Sequence, residues 1–164
     1  MTLELKPWTE DAYELLKLAN SPGMTEHLGG PESPEKLLDR QQRYLRYSAE
    51  GTYAWVFQLV IDGVPVGSVN YWEDEDFYEM GWAISPQFHG LGYATAGVLA
   101  ALQHAKANGT RPRVRAVPRV TNLGSNGVAR KAGFALVDTR PMEYPAGVFE
   151  LSNVWEFNLS RLST

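Results

Sequence analysis

The chain has no cysteine among its 164 residues, so disulfides, thiolate zinc sites and a cysteine nucleophile are all excluded. That fits a reducing compartment, and the cytoplasm is the expected location. A surplus of basic charge is missing too: 15 Lys+Arg stand against 19 Asp+Glu, for a formal charge of −4. A chain of that balance repels a polyphosphate backbone as a whole, which disfavours nucleic acid as a partner. Long apolar runs are also lacking. The first twenty residues, MTLELKPWTEDAYELLKLAN, mix acids and bases throughout, leaving no signal-peptide h-region and no membrane span. A soluble protein without a membrane partner is expected. A chain of this length buries roughly 70% of its unfolded surface and can build a core unaided, so one domain over 1–164 is expected.

What is present reads as alternating short elements. Leu3, Leu5 and Pro7 suggest a first strand, and Thr9 ahead of Glu10-Asp11 suggests the cap of a helix through Ala19, stopped by Asn20-Ser21-Pro22-Gly23. Ser33-Pro34-Glu35 reads as N-cap, first helical position and dipole-complementing acid of a second helix that ends near Glu50-Gly51. Tyr53 to Ile61 and Val64 to Trp72 flank the turn signal Asp62-Gly63 and predict a hairpin. The acidic run Glu73-Asp74-Glu75-Asp76 reads as a charged, solvated turn before a third strand, Phe77 to Ile84. A helix over Tyr93 to Ala107, a strand over Arg113 to Val117, a short helix over Ser125 to Ala132 and strands near Ala135 to Thr139 and Val148 to Asn158 complete the chain. The order βααβββαβαββ argues a mixed α/β (α+β) domain with a largely antiparallel central sheet flanked by helices. Arg111, Arg113, Arg115 and Arg119 read as a solvated strand edge, or else as a patch meeting cofactor phosphates.

The segment richest in chemistry joins the third strand to the helix after it: Ser85-Pro86-Gln87-Phe88-His89-Gly90-Leu91-Gly92. A glycine-containing turn there lets backbone N–H groups converge, and the helix dipole reinforces them for an anion. A dinucleotide fingerprint would place a third glycine where Thr95 stands, and a Walker A loop would need Gly-Lys-Ser/Thr where the chain has Gly92-Tyr93-Ala94. Both of those readings fail.

Gln87-Phe88-His89-Gly90-Leu91-Gly92 resembles motif A of the GNAT superfamily, Gln/Arg-x-x-Gly-x-Gly/Ala. Farther on, Asn122-x-x-Ser125, Val128-Ala129 and Lys131-Ala132-Gly133-Phe134 are similar to the second signature of the branch typified by RimJ and RimL. The resemblance implies a GNAT-like fold and acetyl-CoA as acetyl donor, with no metal. It further implies that backbone groups of Trp82, Ala83 and Ile84 hold the pantetheine arm. N–H groups across Gln87, Phe88, His89, Gly90, Leu91, Gly92, Tyr93 and Ala94 would hold the pyrophosphate, and Asn122 would bond the arm. Ser125 would give a proton to the departing thiolate, or else merely cap a helix. Many relatives carry a tyrosine acid where Ala129 stands, and commonly a glutamate where Ala96 stands. These departures motivate the rival of an inactive acetyl-CoA sensor, beside a second rival in which the Gly90-Leu91-Gly92 turn is purely structural.

On the third strand, Tyr78, Met80, Trp82 and Ile84 form a bulky face, while Glu79 shares the other with Gly81 and Ala83. A carboxylate beside empty space suits a general base, the alternative being a structural ion pair. His27 and His89 have no visible partner and read as surface or structural residues. Met24 to Gly30, Tyr71 and Trp72 are expected to shape the acceptor pocket, unless the aromatics are simply core. A protein N-terminus, a polyamine, an aminoglycoside-like antibiotic or another small amine would fit as acceptor, with the run Glu73 to Asp76 favouring a cationic one. The oligomeric state stays open, a homodimer being one option.

Overall fold

The computed structural model describes residues 1–163. Seven strands form one sheet in the order β1-β2-β3-β4-β5-β7-β6. They are β1 (Leu3–Pro7), β2 (Ala54–Ile61), β3 (Val64–Asp74), β4 (Phe77–Ile84), β5 (Arg113–Ala116), β6 (Ala135–Glu143) and β7 (Phe149–Asn158). The helices are α1 (Tyr13–Ala19), α2 (Pro22–Thr25), α3 (Pro34–Glu50), α4 (Tyr93–Asn108) and α5 (Leu123–Lys131). Every strand pair is antiparallel except β4 with β5. A parallel pair needs a crossover, and α4 supplies it.

Local chemistry explains most of the boundaries. Asp62 and Gly63 both take positive φ, 49° and 81°, which the tight turn of the β2–β3 hairpin demands. Ser33 Oγ accepts from Lys36 N–H at 3.3 Å to open α3, and Gly51 closes it in the left-handed conformation, φ 65°. Thr9 departs from expectation. Its side chain caps nothing; its hydroxyl instead accepts from Gln58 Nε2 at 3.2 Å, and the chain enters α1 through a 3-10 turn over Glu10–Ala12. The predicted stop at Ser21-Pro22 turns out to start α2, because Ser21 Oγ accepts from Met24 N–H.

The acidic run is not a free solvated turn. Glu73 and Asp74 belong to β3, Arg111 Nη2 donates to Glu73 Oε2 at 3.1 Å, and Arg113 Nη2 donates to Asp76 Oδ2 at 2.6 Å. Arg115 donates to Glu156 Oε2 at 2.8 Å and Arg119 to the Tyr144 carbonyl at 2.7 Å. These arginines lock strand ends together and leave no patch for cofactor phosphates. Arg111 and Arg113 do so at the N-terminal end of β4, opposite the loop that follows it.

Three buried clusters form along the sheet, the third being Leu59, Ile61, Val66 and Ile84. Of the other two, one packs Tyr71, Tyr78 and Met80 against Val98, Ala101, Leu102 and Ala105 of α4; the other packs Trp8, Leu15, Leu16 and Leu37 against Val56. Strand alternation therefore sends Tyr71 and Met80, which are paired in register, toward α4, and sends Trp72 and Glu79 toward α1 and α3.

Gly67 shows how closely β3 and β4 approach. A Cβ there would stand 2.2 Å from the Ala83 carbonyl oxygen and 2.9 Å from Ile84 Cα, both of which are backbone. Gly67→Ala should cost about 3 kcal/mol in urea unfolding. A change below about 0.5 kcal/mol, the range of surface substitutions, would contradict this packing.

Candidate active site

The site begins where two strands part. β3 pairs with β4 along its whole length, from Gly67↔Ile84 to Asp74↔Phe77, whereas β5 meets β4 only at Tyr78↔Val114 and Glu79↔Arg115. From Met80 to Ile84, one backbone edge of β4 therefore has no strand neighbour. Trp82 and Ala83 are half-buried on this stretch, and Ile84 is buried. An unpaired edge can take an extended ligand carrying amide groups.

The chain then turns through Pro86–Phe88. Gln87 is exposed, while Phe88, Tyr93 and Ala94 pack against the cluster of Leu59, Ile61, Val66 and Ile84. His89 has a partner after all: Nε2 donates to the Ile84 carbonyl at 2.6 Å and holds the loop to the strand it leaves. Gly90 and Gly92 have φ of 77° and 81°, and no atom lies within 4 Å of where a Cβ would stand on either. Gly92 is the N-cap of the sixteen-residue α4. Among the described residues the N–H groups of Gly90, Leu91 and Gly92 find no acceptor. Converging free donors, open space and the positive end of a helix dipole fit a pyrophosphate.

On the other face, Glu79 lies opposite Trp72, whose ring carbons come within 3.7 Å of the Cβ that Gly81 lacks. Its neighbour across β5, Arg115, is taken by Glu156 and stacks over the Phe77 ring at 4.4 Å. Glu79 thus makes no ion pair or hydrogen bond among the described residues. Burial first, and the Asp74 charge second, push its carboxyl up to about 7.

Beside this face is a cavity of about 160 Å³, lined by Ser68 and Ala83 of β3 and β4, by Leu37, Arg40 and Tyr44 of α3, and by Thr25, Leu28, Gly30 and Glu32. Part of the expected loop is therefore in its wall, while Met24 lines a second cavity of about 370 Å³ with Pro86 and His89. The loop is braced at both ends. A Cβ on Gly29 would stand 2.8 Å from Pro145, and His27 Nδ1 lies 3.1 Å from Thr121 Oγ1. His27 is thus a brace, with a second contact to Glu26 at 3.5 Å. Tyr71 is a correction: it is fully buried on the α4 side, where its hydroxyl donates to His104 Nδ1 at 2.7 Å. Burial raises the Tyr71 phenol and lowers His104, so the imidazole stays neutral and accepts.

Because β4 and β5 are parallel, the loops leaving them lie at the same end of the sheet, so Asn122 and Ser125 stand at the end that carries Gly90. Asn122 is the helix cap here: its Oδ1 accepts from Ser125 N–H at 3.1 Å. Ser125 therefore sits within the first turn of α5, half-buried, and its hydroxyl has no partner among the described residues. Ala129 is fully buried in the core against α4, so that position faces away from the cleft. Asn126 went unnoticed in the sequence. It is buried, donates to the Arg119 and Asn122 carbonyls, and accepts from Asn153 Nδ2 and Trp155 Nε1, which ties α5 to β7. Tyr44 and His104 were missed as well, since their partners Asn70 and Tyr71 are distant in sequence, and so were Glu32 and Arg40, which pair across the start of α3.

A parted strand pair, a glycine cradle at the head of a helix and an open cavity against the same strand are the arrangement an acyl-CoA-type transferase requires. The chain belongs to the acetyltransferase (GNAT) domain family, which it matches over residues 2–135. No curated protein matches it in sequence. Among solved structures it is similar to RimL, a ribosomal L7/L12 α-N-protein acetyltransferase in complex with coenzyme A, with TM-score 0.80 and 22% identity over 96% of this chain and 94% of that one. A spermidine N-acetyltransferase from Vibrio cholerae in complex with CoA and spermine gives TM-score 0.80 at 16% identity, covering 96% of each chain. An aminoglycoside acetyltransferase in complex with coenzyme A gives 0.76 at 17%, covering 96% and 95%. At these identities the likeness to solved structures is one of fold.

A carboxyl raised by folding stabilises the protein only while protonated. The contribution of Glu79 is full below its unfolded value near 4.5 and is lost as pH rises through about 7. Glu79→Gln should remove that dependence, so that above pH 7 the variant is the more stable protein, by on the order of 2 kcal/mol. Chemical unfolding at pH 5 and pH 8 checks this, and equal pH slopes for the two proteins would contradict the burial of a charge at Glu79.

Proposed function

We propose that the protein is an acetyl-CoA-dependent N-acetyltransferase acting on a primary amine in the cytoplasm. The observation that carries this reading is the unpaired edge of β4 from Met80 to Ile84, running into the open cradle at Gly90 and Gly92 with Glu79 on the opposite, cavity side. Family membership supports it, as do neighbours solved with coenzyme A that act on a protein N-terminus, spermidine and aminoglycosides.

When bound, acetyl-CoA supplies an acetyl group already activated as a thioester, so no covalent enzyme intermediate is needed. Trp82, Ala83 and Ile84 would bind the arm through the free backbone edge, and an N–H there would polarise the carbonyl oxygen. Gln87 to Ala94 would bind the pyrophosphate, and Asn122 would bond the arm through the amide nitrogen that helix capping leaves free. Glu79 takes the proton from the acceptor amine, directly or through water. An amine of pKa about 10.4 is only about 0.04% neutral at pH 7, so a base is needed most for lysine-like acceptors, whereas an α-amine near 7.8 is about 14% neutral. Ser125 holds a proton for the leaving sulfur. With position 129 turned into the core, Ser125 is the α5 hydroxyl left to serve.

Calorimetric titration with acetyl-CoA should give micromolar binding that Gly90→Trp abolishes; no binding at millimolar ligand would overturn the reading. For turnover, kcat/KM should rise through an apparent pKa near 7, and Glu79→Gln should lower it by about a hundredfold and flatten that limb. An unchanged pH profile in the variant would remove Glu79 from the mechanism.

A further inference from the structure

The cavity beside Ala83 carries a charge pair that the proton transfers above do not use. Arg40 Nε donates to Glu32 Oε1 at 2.8 Å, and both side chains are in the wall. Glu32 is fixed from behind: its N–H donates to Asn20 Oδ1 at 2.8 Å, and Asn20 Nδ2 donates to its carbonyl at 2.9 Å. Arg40 is therefore held by one edge of its guanidinium. Among the described residues no second carboxylate or carbonyl lies within hydrogen-bond distance of its Nη groups; the Tyr44 hydroxyl adds only a weaker interaction. A planar fork pinned through Nε presents its remaining edge to a planar oxyanion in bidentate geometry.

Lys36, Arg40 and Arg43 recur at helical spacing on one face of α3, and all three hold the Glu32 carboxyl below its usual range, Arg40 through the hydrogen bond above all. Asp39 is occupied by Arg43 at 3.1 Å. The cavity wall itself carries one charged pair, Glu32 and Arg40, so the free edge of Arg40 is the cationic donor surface it offers. The acidic run that suggested a cationic acceptor is engaged by Arg111 and Arg113 at the far end of β4. The rest of the wall mixes Leu16, Leu28 and Leu37 with the polar Thr25, Ser68 and Tyr144. At roughly 30 Å³ for each water-sized group, about 160 Å³ accommodates a molecule the size of the smallest amino acids.

We infer that the acetyl acceptor is a small amino acid or close analogue, its carboxylate bound by the free edge of Arg40 and its amine directed to Ala83 and Glu79. The inference rests on the acetyltransferase reading above and narrows its acceptor. The test compares alanine, isopropylamine, 1,3-diaminopropane and an alanine-initiated tripeptide, by turnover with acetyl-CoA and by calorimetry on the CoA-saturated protein. Alanine should exceed isopropylamine at least tenfold in kcat/KM and in affinity. Arg40→Gln should reduce that ratio at least tenfold, chiefly through KM. Arg40→Lys, which keeps the charge and loses the fork, should fall between, and it reads the same ratio if the glutamine variant does not fold. Preference for the diamine or the tripeptide, or a ratio unmoved by either variant, overturns the inference. Absence of transfer to every amine would sink the acetyltransferase reading instead, and the calorimetric ranking of alanine over isopropylamine would still decide this one.

Discussion

The site depends on β4 and β5 pairing at Tyr78 and Glu79 and then separating. Had the two strands continued in register, the edge of Met80 to Ile84 would be spent on backbone hydrogen bonds, and nothing could enter the sheet there. The separation is held from both sides. Below it, Arg111 and Arg113 fasten the β3–β4 turn to the strand entry, with Arg111 also donating to the carbonyls of Glu75 and Phe77. Above it, Asn126 spends all four of its hydrogen bonds joining α5 to the Arg119 loop and to β7. Fully satisfied buried networks of this kind fix one arrangement, because a half-made one is costly.

That opening sorts the chemistry by face and by end. The α4 face of β4 is closed by Tyr71, Tyr78 and Met80, so it serves only to hold the strand. The opposite face is left thin by Gly81 and Ala83, and Glu79 sits there half-buried without a counter-ion, which keeps its carboxyl poised near neutrality. The C-terminal end carries the cradle, where Gly90 and Gly92 adopt the left-handed backbone that lets N–H groups face outward.

The turn was legible in the sequence because its parts are contiguous: Gln87, Gly90 and Gly92 sit between a strand pattern and a helix pattern, and local chemistry alone sets their backbone conformation. The face on which Glu79 stands was legible for the same reason, through strict alternation along β4. The hairpin at Asp62-Gly63 and the caps of α3 were equally local. What escaped was long-range. Nothing near Thr9 announces that Gln58 will claim its hydroxyl, nothing near Glu73 announces Arg111, and the pairing of Asn20, Glu32 and Arg40 appears only once α1 and α3 lie side by side. Tyr71 was misplaced because an aromatic on a strand names no face until the register is known.

The most direct test of the account is amide hydrogen exchange with and without acetyl-CoA, read residue by residue along β4 and the loop after it. Outward amides between Met80 and Ile84, and those from Gly90 to Ala94, should slow markedly on binding, while β3 and the rest of the sheet change little. If acetyl-CoA binds and leaves these amides exchanging as before, the parted edge and the cradle are not where the donor sits, and the account fails.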